Sequence, residues 1–230
     1  MLNTAIIVAA GSGNRFGGDR PKQFVELLGK PLLIHTIERF ESCPVIDEIV
    51  LVVAEDQLDE VQRLLGGYSF SKINAVVSGG DTRARSVRNG LDAIDREAAW
   101  IVAVHDGARP LVTVDEIIRT VEAASLHGAA CLVADVTDTI KEVEQGFITA
   151  TVPRANLRRA LTPQAFQYDI LSMAMEHASS EFEATDECSI VEKAGVRIFC
   201  VEGSPRNIKI TRPEDLSVAA SYLVMGTRDL

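Results

Sequence analysis

Residues 4–24 read TAIIVAAGSGNRFGGDRPKQF. Thr4 to Ala9 is a short run of β-branched and small apolar residues without polar alternation, the pattern of a parallel strand buried on both faces. Gly11 and Gly13 follow at once. A glycine-rich loop at the end of such a strand lets backbone N–H groups approach phosphate oxygens closely. Ala9 and Ala10 remove bulk where a base or sugar can lie against the main chain, and Arg15 and Lys22 add one forked and one compact cation to the loop. Two better-known phosphate loops do not fit. No G-x-x-x-x-G-K-[ST] run exists, and the third glycine of a dinucleotide fingerprint falls one place late, at Gly17. The acid such a fingerprint needs, about 20 residues on, is also missing, because the next strand ends near Glu55, about twice too far. A nicotinamide oxidoreductase is thereby disfavoured.

Outward from this loop, apolar runs at Glu48–Ala54, Ile73–Ser78, Trp100–His105, Ala129–Ala134 and Val196–Glu202 predict further strands. Helical patterns lie between them near 31–42, 55–65, 82–95 and 114–127. Strands alternating with helices imply right-handed βαβ crossovers and a doubly wound α/β sheet. Thr113 with Glu116, and Thr211 with Glu214, carry the spacing of capping boxes, and Pro213 suits the first turn of a last helix. A helix from near Asp186 is expected to end at Gly195. Residues 136–152 break the alternation: apolar and polar residues flank a Gln145-Gly146 turn and predict a β-hairpin. One domain over residues 1–230 is expected, with about 136–156 as an excursion that covers an edge or reaches another subunit.

With 47% hydrophobic and 24% charged residues the chain can build a full core. No apolar run approaches the roughly 18 residues of a membrane span, and no basic segment precedes the first strand as in a signal peptide. Cys43, Cys131, Cys188 and Cys200 are too scattered for a zinc or dithiol motif and read as core fillers in a reducing cytoplasm. The net charge of −10 argues against nucleic acid or an anionic membrane as partner. The sum hides an asymmetry. Segments 11–23, 79–90, 104–110, 152–164 and 203–215 hold 13 of the 23 basic side chains but only 5 of the 33 acidic ones.

Those segments contain the remaining motifs. Ser78-Gly79-Gly80-Asp81-Thr82-Arg83-Ala84-Arg85-Ser86 opens a helix at a strand end, where Asp81 either caps the helix or reads a base edge by hydrogen bonding. In Val104-His105-Asp106-Gly107-Ala108-Arg109-Pro110, an acid stands at the carboxyl end of a strand, where open α/β sheets bind ligands. One such acid suffices for a magnesium ion carried on a triphosphate. His105 reads as structural before catalytic, and His35, His127 and His177 sit in helix patterns. Later hydroxyls and cations, in TVPR (151–154), LTPQAF (161–166), TDE (185–187) and NIKIT (207–211), suit a phosphorylated substrate. Together they point to phosphoryl or nucleotidyl transfer between two anionic reactants, driven by in-line positioning and neutralisation of charge.

In this order the motifs, with DTIK at 138–141, resemble the 2-C-methyl-D-erythritol 4-phosphate cytidylyltransferases of the sugar nucleotidyltransferase superfamily, from residue 5 to about 223. The resemblance implies a Rossmann-like nucleotidyltransferase fold, a mostly parallel twisted sheet with helices on both faces and a β-hairpin dimerisation arm. It implies transfer of the cytidylyl group of CTP to the sugar-alcohol phosphate, with release of pyrophosphate, in the non-mevalonate route to isoprenoid precursors. On it, Arg15 and Lys22 are catalytic; Ala9, Ala10, Gly11, Gly13, Gly80, Asp81, Ser86 and Asp106 bind the nucleotide. Arg109, Thr162, Thr185 and Lys209 serve the second substrate, with Thr139 and Arg154 from the partner of a homodimer, and Asp106 meets Mg²⁺ or another divalent cation on the CTP phosphates. Gly107 stands where family members often have alanine, and Pro153 precedes Arg154 where an acid is common. A cytidylyltransferase for a pentitol phosphate such as ribitol 5-phosphate shares most of these motifs. A nucleotide-binding protein without catalysis is the other alternative.

Overall fold

The computed structural model describes residues 1–11, 16, 21–178 and 185–226. Its centre is a seven-stranded sheet built from β1 (Leu2–Ala9), β4 (Glu48–Val53), β5 (Ile73–Ser78), β6 (Ala99–Asp106), β7 (Ala129–Asp135), β10 (Arg158–Gln167) and β11 (Phe199–Glu202). The order is β11-β7-β10-β6-β1-β4-β5. All neighbours run parallel except β10, which is antiparallel to both β6 and β7. Two small ribbons complete the strands: β2 (Glu26–Leu27) with β3 (Lys30–Pro31), and β8 (Ile140–Glu144) with β9 (Phe147–Val152).

Successive strand residues feed opposite layers, which is why these runs lack polar alternation. Ala5, Ile7, Leu51 and Ala103 pack under α1 (Leu32–Glu41), α2 (Leu58–Leu65) and α4 (Val114–His127), among Ile34, Val61 and Ile117. Ile6, Val52, Val102 and Val104 face α3 (Arg83–Asp92), α5 (Tyr168–His177) and α6 (Glu187–Lys193). The last helix, α7 (Glu214–Gly226), brings Ala219 to a smaller cluster with Leu27, Leu32 and Ile210.

The predicted strands are all present, and the predicted helices form within a few residues of their expected bounds. Thr113 and Glu116 make the expected capping box on α4. At α7 the expectation fails in detail: Asp215, not Glu214, accepts from the Thr211 and Arg212 N–H groups (2.7 and 2.8 Å). Asp81 does not cap α3. Thr82 does, accepting from the Arg85 N–H (3.1 Å). The hairpin turns at Gln145 and Gly146, both with positive φ (49° and 88°), as a two-residue turn between twisted strands requires.

Strand β10 and helix α5 are absent from the sequence reading. Pro163 supplies no N–H, which argues against a central strand, yet the structure sets it where the register between β10 and β7 shifts, between Ala160 and Gln164. Helix α5 begins at Gln167 without a side-chain cap, so no start signal marks it. The consequence for function is positional. The chain builds outward from β1 through β4 to β5, then returns to the other side of β1 with β6, leaving a crevice at the carboxyl ends of β1 and β6.

Candidate active site

A cavity of about 540 Å³ opens at that crevice. Ala9, Ala10 and Gly11 form one wall and Gly80, Asp81 and Ser86 a second, with Asp106, Lys22 and Lys209 completing the lining. These nine are the sequence-predicted residues that the fold gathers. Thr82, Arg83, Gln23 and Thr211 also line it. Arg83 stands inside the motif of residues 78–86, so its place was legible, but nothing local distinguished it from Arg85 or Arg88.

The glycine wall is dictated by close approach. A Cβ at Gly79 would collide with the Ala10 Cβ, and one at Gly80 with the Arg85 side chain. Ser86 ties the same turn: its hydroxyl accepts from the Gly80 N–H (3.1 Å) and donates to the Thr82 carbonyl (2.9 Å). With Thr82 as the cap, the exposed Asp81 carboxylate is left to the cavity. At Gly107 a Cβ would sit 3.0 Å from the Ala9 Cβ, and the Gly107 N–H bonds the Val8 carbonyl (2.8 Å), so this backbone is fastened to β1 without a side chain. Gln23 donates to Gln57 and pins the segment that carries Lys22. The Lys22 ammonium donates to the Ile210 carbonyl (2.8 Å), one residue past Lys209.

Asp106 is the electrostatic centre. Its Oδ1 faces Arg83 at 3.4 Å, and its Oδ2 is shared by Arg109 Nε (3.2 Å) and Lys209 Nζ (3.0 Å). Burial alone would raise this carboxyl, but Arg83, Lys209 and Arg109 together hold it well below the ordinary carboxylate range. Arg83 also donates to Glu187, which is 1% exposed. Burial pushes the Glu187 carboxyl up against the pull of that guanidinium.

Beside Asp106 lies His105, fully buried. Burial pushes its pKa down to about 4, against its hydrogen bond to the Arg109 carbonyl. The neutral ring donates from Nε2 to that carbonyl (3.1 Å), and Nδ1 accepts from the Thr162 hydroxyl (3.0 Å). The structural reading of His105 therefore holds. Thr162 is a different case: its hydroxyl proton goes to His105 and its oxygen accepts from the Asp106 N–H (3.2 Å). At 3% exposure it supports Asp106 from behind and does not line the cavity. Asn207, also buried, donates to the Thr162 carbonyl and accepts from Arg109 Nη1 at its own (both 2.9 Å). Arg109 thus meets Asp106 without lining the cavity.

Thr139 and Arg154 are exposed at the base of the hairpin, Arg154 donating to the Thr137 carbonyl, and Thr185 is exposed before α6. None of the three lines the cavity. Gly13 and Arg15 lie outside the described residues. Among the described residues no group of three or more histidine, cysteine or acidic side chains can hold a metal ion by itself. One carboxylate facing a cavity fits a magnesium ion whose other ligands are triphosphate oxygens and water.

The family model for 2-C-methyl-D-erythritol 4-phosphate cytidylyltransferase matches residues 3–225. Proteins of that name from Geotalea uraniireducens and Clostridium acetobutylicum are 42% and 41% identical, over 97% and 96% of this chain and 97% of each of theirs. Among solved structures, the 4-diphosphocytidyl-2C-methyl-D-erythritol synthase of Anaerococcus prevotii superposes with a TM-score of 0.85 at 31% identity, covering 96% of both chains. The Francisella tularensis 2-C-methyl-D-erythritol 4-phosphate cytidylyltransferase superposes with 0.79 at 35% identity, over 95% of this chain and 98% of that one.

Proposed function

This chain belongs to the 2-C-methyl-D-erythritol 4-phosphate cytidylyltransferase family, and from that premise we propose how its cavity works. The enzyme transfers the cytidylyl group of CTP to 2-C-methyl-D-erythritol 4-phosphate, yielding 4-diphosphocytidyl-2-C-methyl-D-erythritol and pyrophosphate, a step of isoprenoid biosynthesis. The observation that carries the assignment of sites is the meeting of the glycine walls, Lys22, Asp106 and Lys209 in one cavity at the switch point of the sheet.

In our reading cytidine lies between Ala9-Ala10-Gly11 and Gly80-Asp81, with Ser86 holding the Gly80 turn. Gly13 and Arg15 belong to the same phosphate loop. A phosphate oxygen of the sugar-alcohol phosphate attacks the α-phosphorus of CTP in line. A P–O bond forms there as the bond to the β-phosphate bridging oxygen breaks, and the electron pair leaves with pyrophosphate. Lys22 and Arg15 neutralise the charge that grows on the crowded phosphorus and the departing oxygens. Asp106 would meet Mg²⁺, or another divalent cation, on the triphosphate, where the ion neutralises phosphate charge. Lys209 takes the phosphate of the second substrate, Thr185 borders it, and Arg109 and Thr162 act through Asp106.

We assign Thr139 and Arg154 to the cavity of a partner subunit. Support comes from the hairpin itself: Val143, Phe147 and Ile148 are 61%, 77% and 66% exposed, an apolar surface that a second copy of the chain would cover. A cytoplasmic location fits four free thiols, and no helix among the described residues is long and apolar enough to cross a membrane. The deciding experiment is pyrophosphate release from CTP and Mg²⁺ with 2-C-methyl-D-erythritol 4-phosphate. Turnover that is absent, or faster with ribitol 5-phosphate, would refute the reading.

A further inference from the structure

Asp106 divides its two oxygens between different kinds of partner. Oδ2 is shared by Arg109, 12% exposed and held by the Asn207 carbonyl, and by Lys209, which is 39% exposed and lines the cavity. Oδ1 belongs to Arg83, whose side chain is 23% exposed at the cavity wall. Arg83 is in turn gripped from behind by Glu187, the first residue of α6. That grip is rigidly based. Asp186 caps α6 by accepting from the Ser189 N–H (2.9 Å), and Gln164 of β10 donates to Asp186 (2.8 Å) while accepting from the Cys188 N–H (3.1 Å). The remaining oxygen of Glu187, Oε2, is buried without a hydrogen-bond partner among the described residues. This carboxylate is therefore spent on Arg83 alone.

Resting on the site assignment above, we propose that Arg83, clamped by Glu187, is a positioning residue that retains Asp106 while Lys209 exchanges the carboxylate for the phosphate of the sugar-alcohol substrate. The exchange follows from charge. Before substrate binds, three cations face two carboxylates. When a phosphate dianion arrives and draws off Lys209, the nearly buried Asp106 loses one cation beside a new anion, which is costly unless its guanidinium partners stay on it. The Arg83 fork spans two acids on separate elements, β6 and α6, and so stays. A lysine offers one compact charge and cannot span both.

The test pairs Arg83→Met with Glu187→Met, because removing both members of a buried ion pair is far less disruptive than removing one. In the double variant we expect a Tm close to that of the unaltered protein and CTP binding by calorimetry within threefold. We expect kcat/KM for 2-C-methyl-D-erythritol 4-phosphate to stay about 100-fold down, mostly through KM, the scale of losing one charged contact. Recovery to within threefold would reduce Arg83 to a counter-ion of Glu187 and overturn the proposal. So would a loss of CTP affinity as large as the rise in KM, since Arg83 would then serve the nucleotide. Arg83→Lys supplies an independent check on a chain that keeps its charge: a raised KM for the sugar-alcohol phosphate at unchanged Tm supports the clamp, and full activity refutes it. Absence of turnover in the unaltered protein would instead overturn the functional reading itself, and this inference with it.

Discussion

The Lys22 ammonium is 2.8 Å from a backbone carbonyl, that of Ile210, which links the loop after β1 to the segment carrying Lys209. A carbonyl is a weaker partner for an ammonium than a phosphate, so a triphosphate in the cavity competes with it for Lys22. On the proposed assignment Lys22→Ala lowers kcat about 10²–10³-fold, the scale for deleting one transition-state donor. Steady-state kinetics with CTP varied is the check: a normal kcat with only KM raised would remove Lys22 from the chemistry. Asp106 and Arg109 are legible from the sequence because they stand at or just past a strand end, and Lys22 because it follows the glycine-rich loop, whereas Lys209 is singled out only by the family resemblance. Glu187 is not legible, since its neighbour Arg83 is 104 positions away and only the fold brings them together. Thr162 shows the converse. Its hydroxyl reads as substrate-binding in sequence, but β10 turns it onto His105.

Among the elements, the hairpin β8–β9 has the plainest unmet need. A two-stranded ribbon is marginal alone in water, and this one shows Phe147 and Ile148 to solvent. The variant Phe147→Glu/Ile148→Glu should sediment as a monomer and lose at least tenfold in kcat/KM, because Thr139 and Arg154 would no longer reach a partner's cavity. A dimer that persists in analytical ultracentrifugation at full activity would disprove the arm's role. The hairpin was legible because Gln145-Gly146 between extended runs is a local turn signal. Strand β10 was not, because Pro163 contradicts a central strand locally and only pairing with β6 and β7, set by residues 23 to 66 positions away, overrides it.

For the molecule as a whole, the buried histidine couples the site to global stability. An unfolded His105 takes up its proton near pH 6.5, whereas the folded ring refuses it until about pH 4. The unfolded state therefore binds more protons in that window. The stability present above pH 6.5 falls as pH drops, by roughly 3 kcal/mol once pH 4 is reached. Burial lowers the pKa of His35 as well, adding to the loss with the same sign. The depressed Asp106 carboxyl adds its own loss below its usual value of 3.8. His105→Gln removes one contribution. In urea unfolding the variant, less stable at pH 7, should approach the unaltered protein by pH 4, and parallel curves at the two pH values would exclude the effect.

By itself the sequence determined what is local or periodic: the buried parallel strands, α4 with its capping box, the hairpin turn, the glycine loop and the segregation of 13 of 23 basic side chains into five motif segments. Each follows from interactions within a few residues, where steric and hydrogen-bonding preferences act directly. The tertiary structure alone decided where those segments meet. It set β10 against the rest of the sheet, drew Lys22, Arg83 and Lys209 to one cavity of an acidic protein, and placed three cations on Asp106. Charge pairing across 23 to 104 positions depends on the path of the chain, which no local preference encodes.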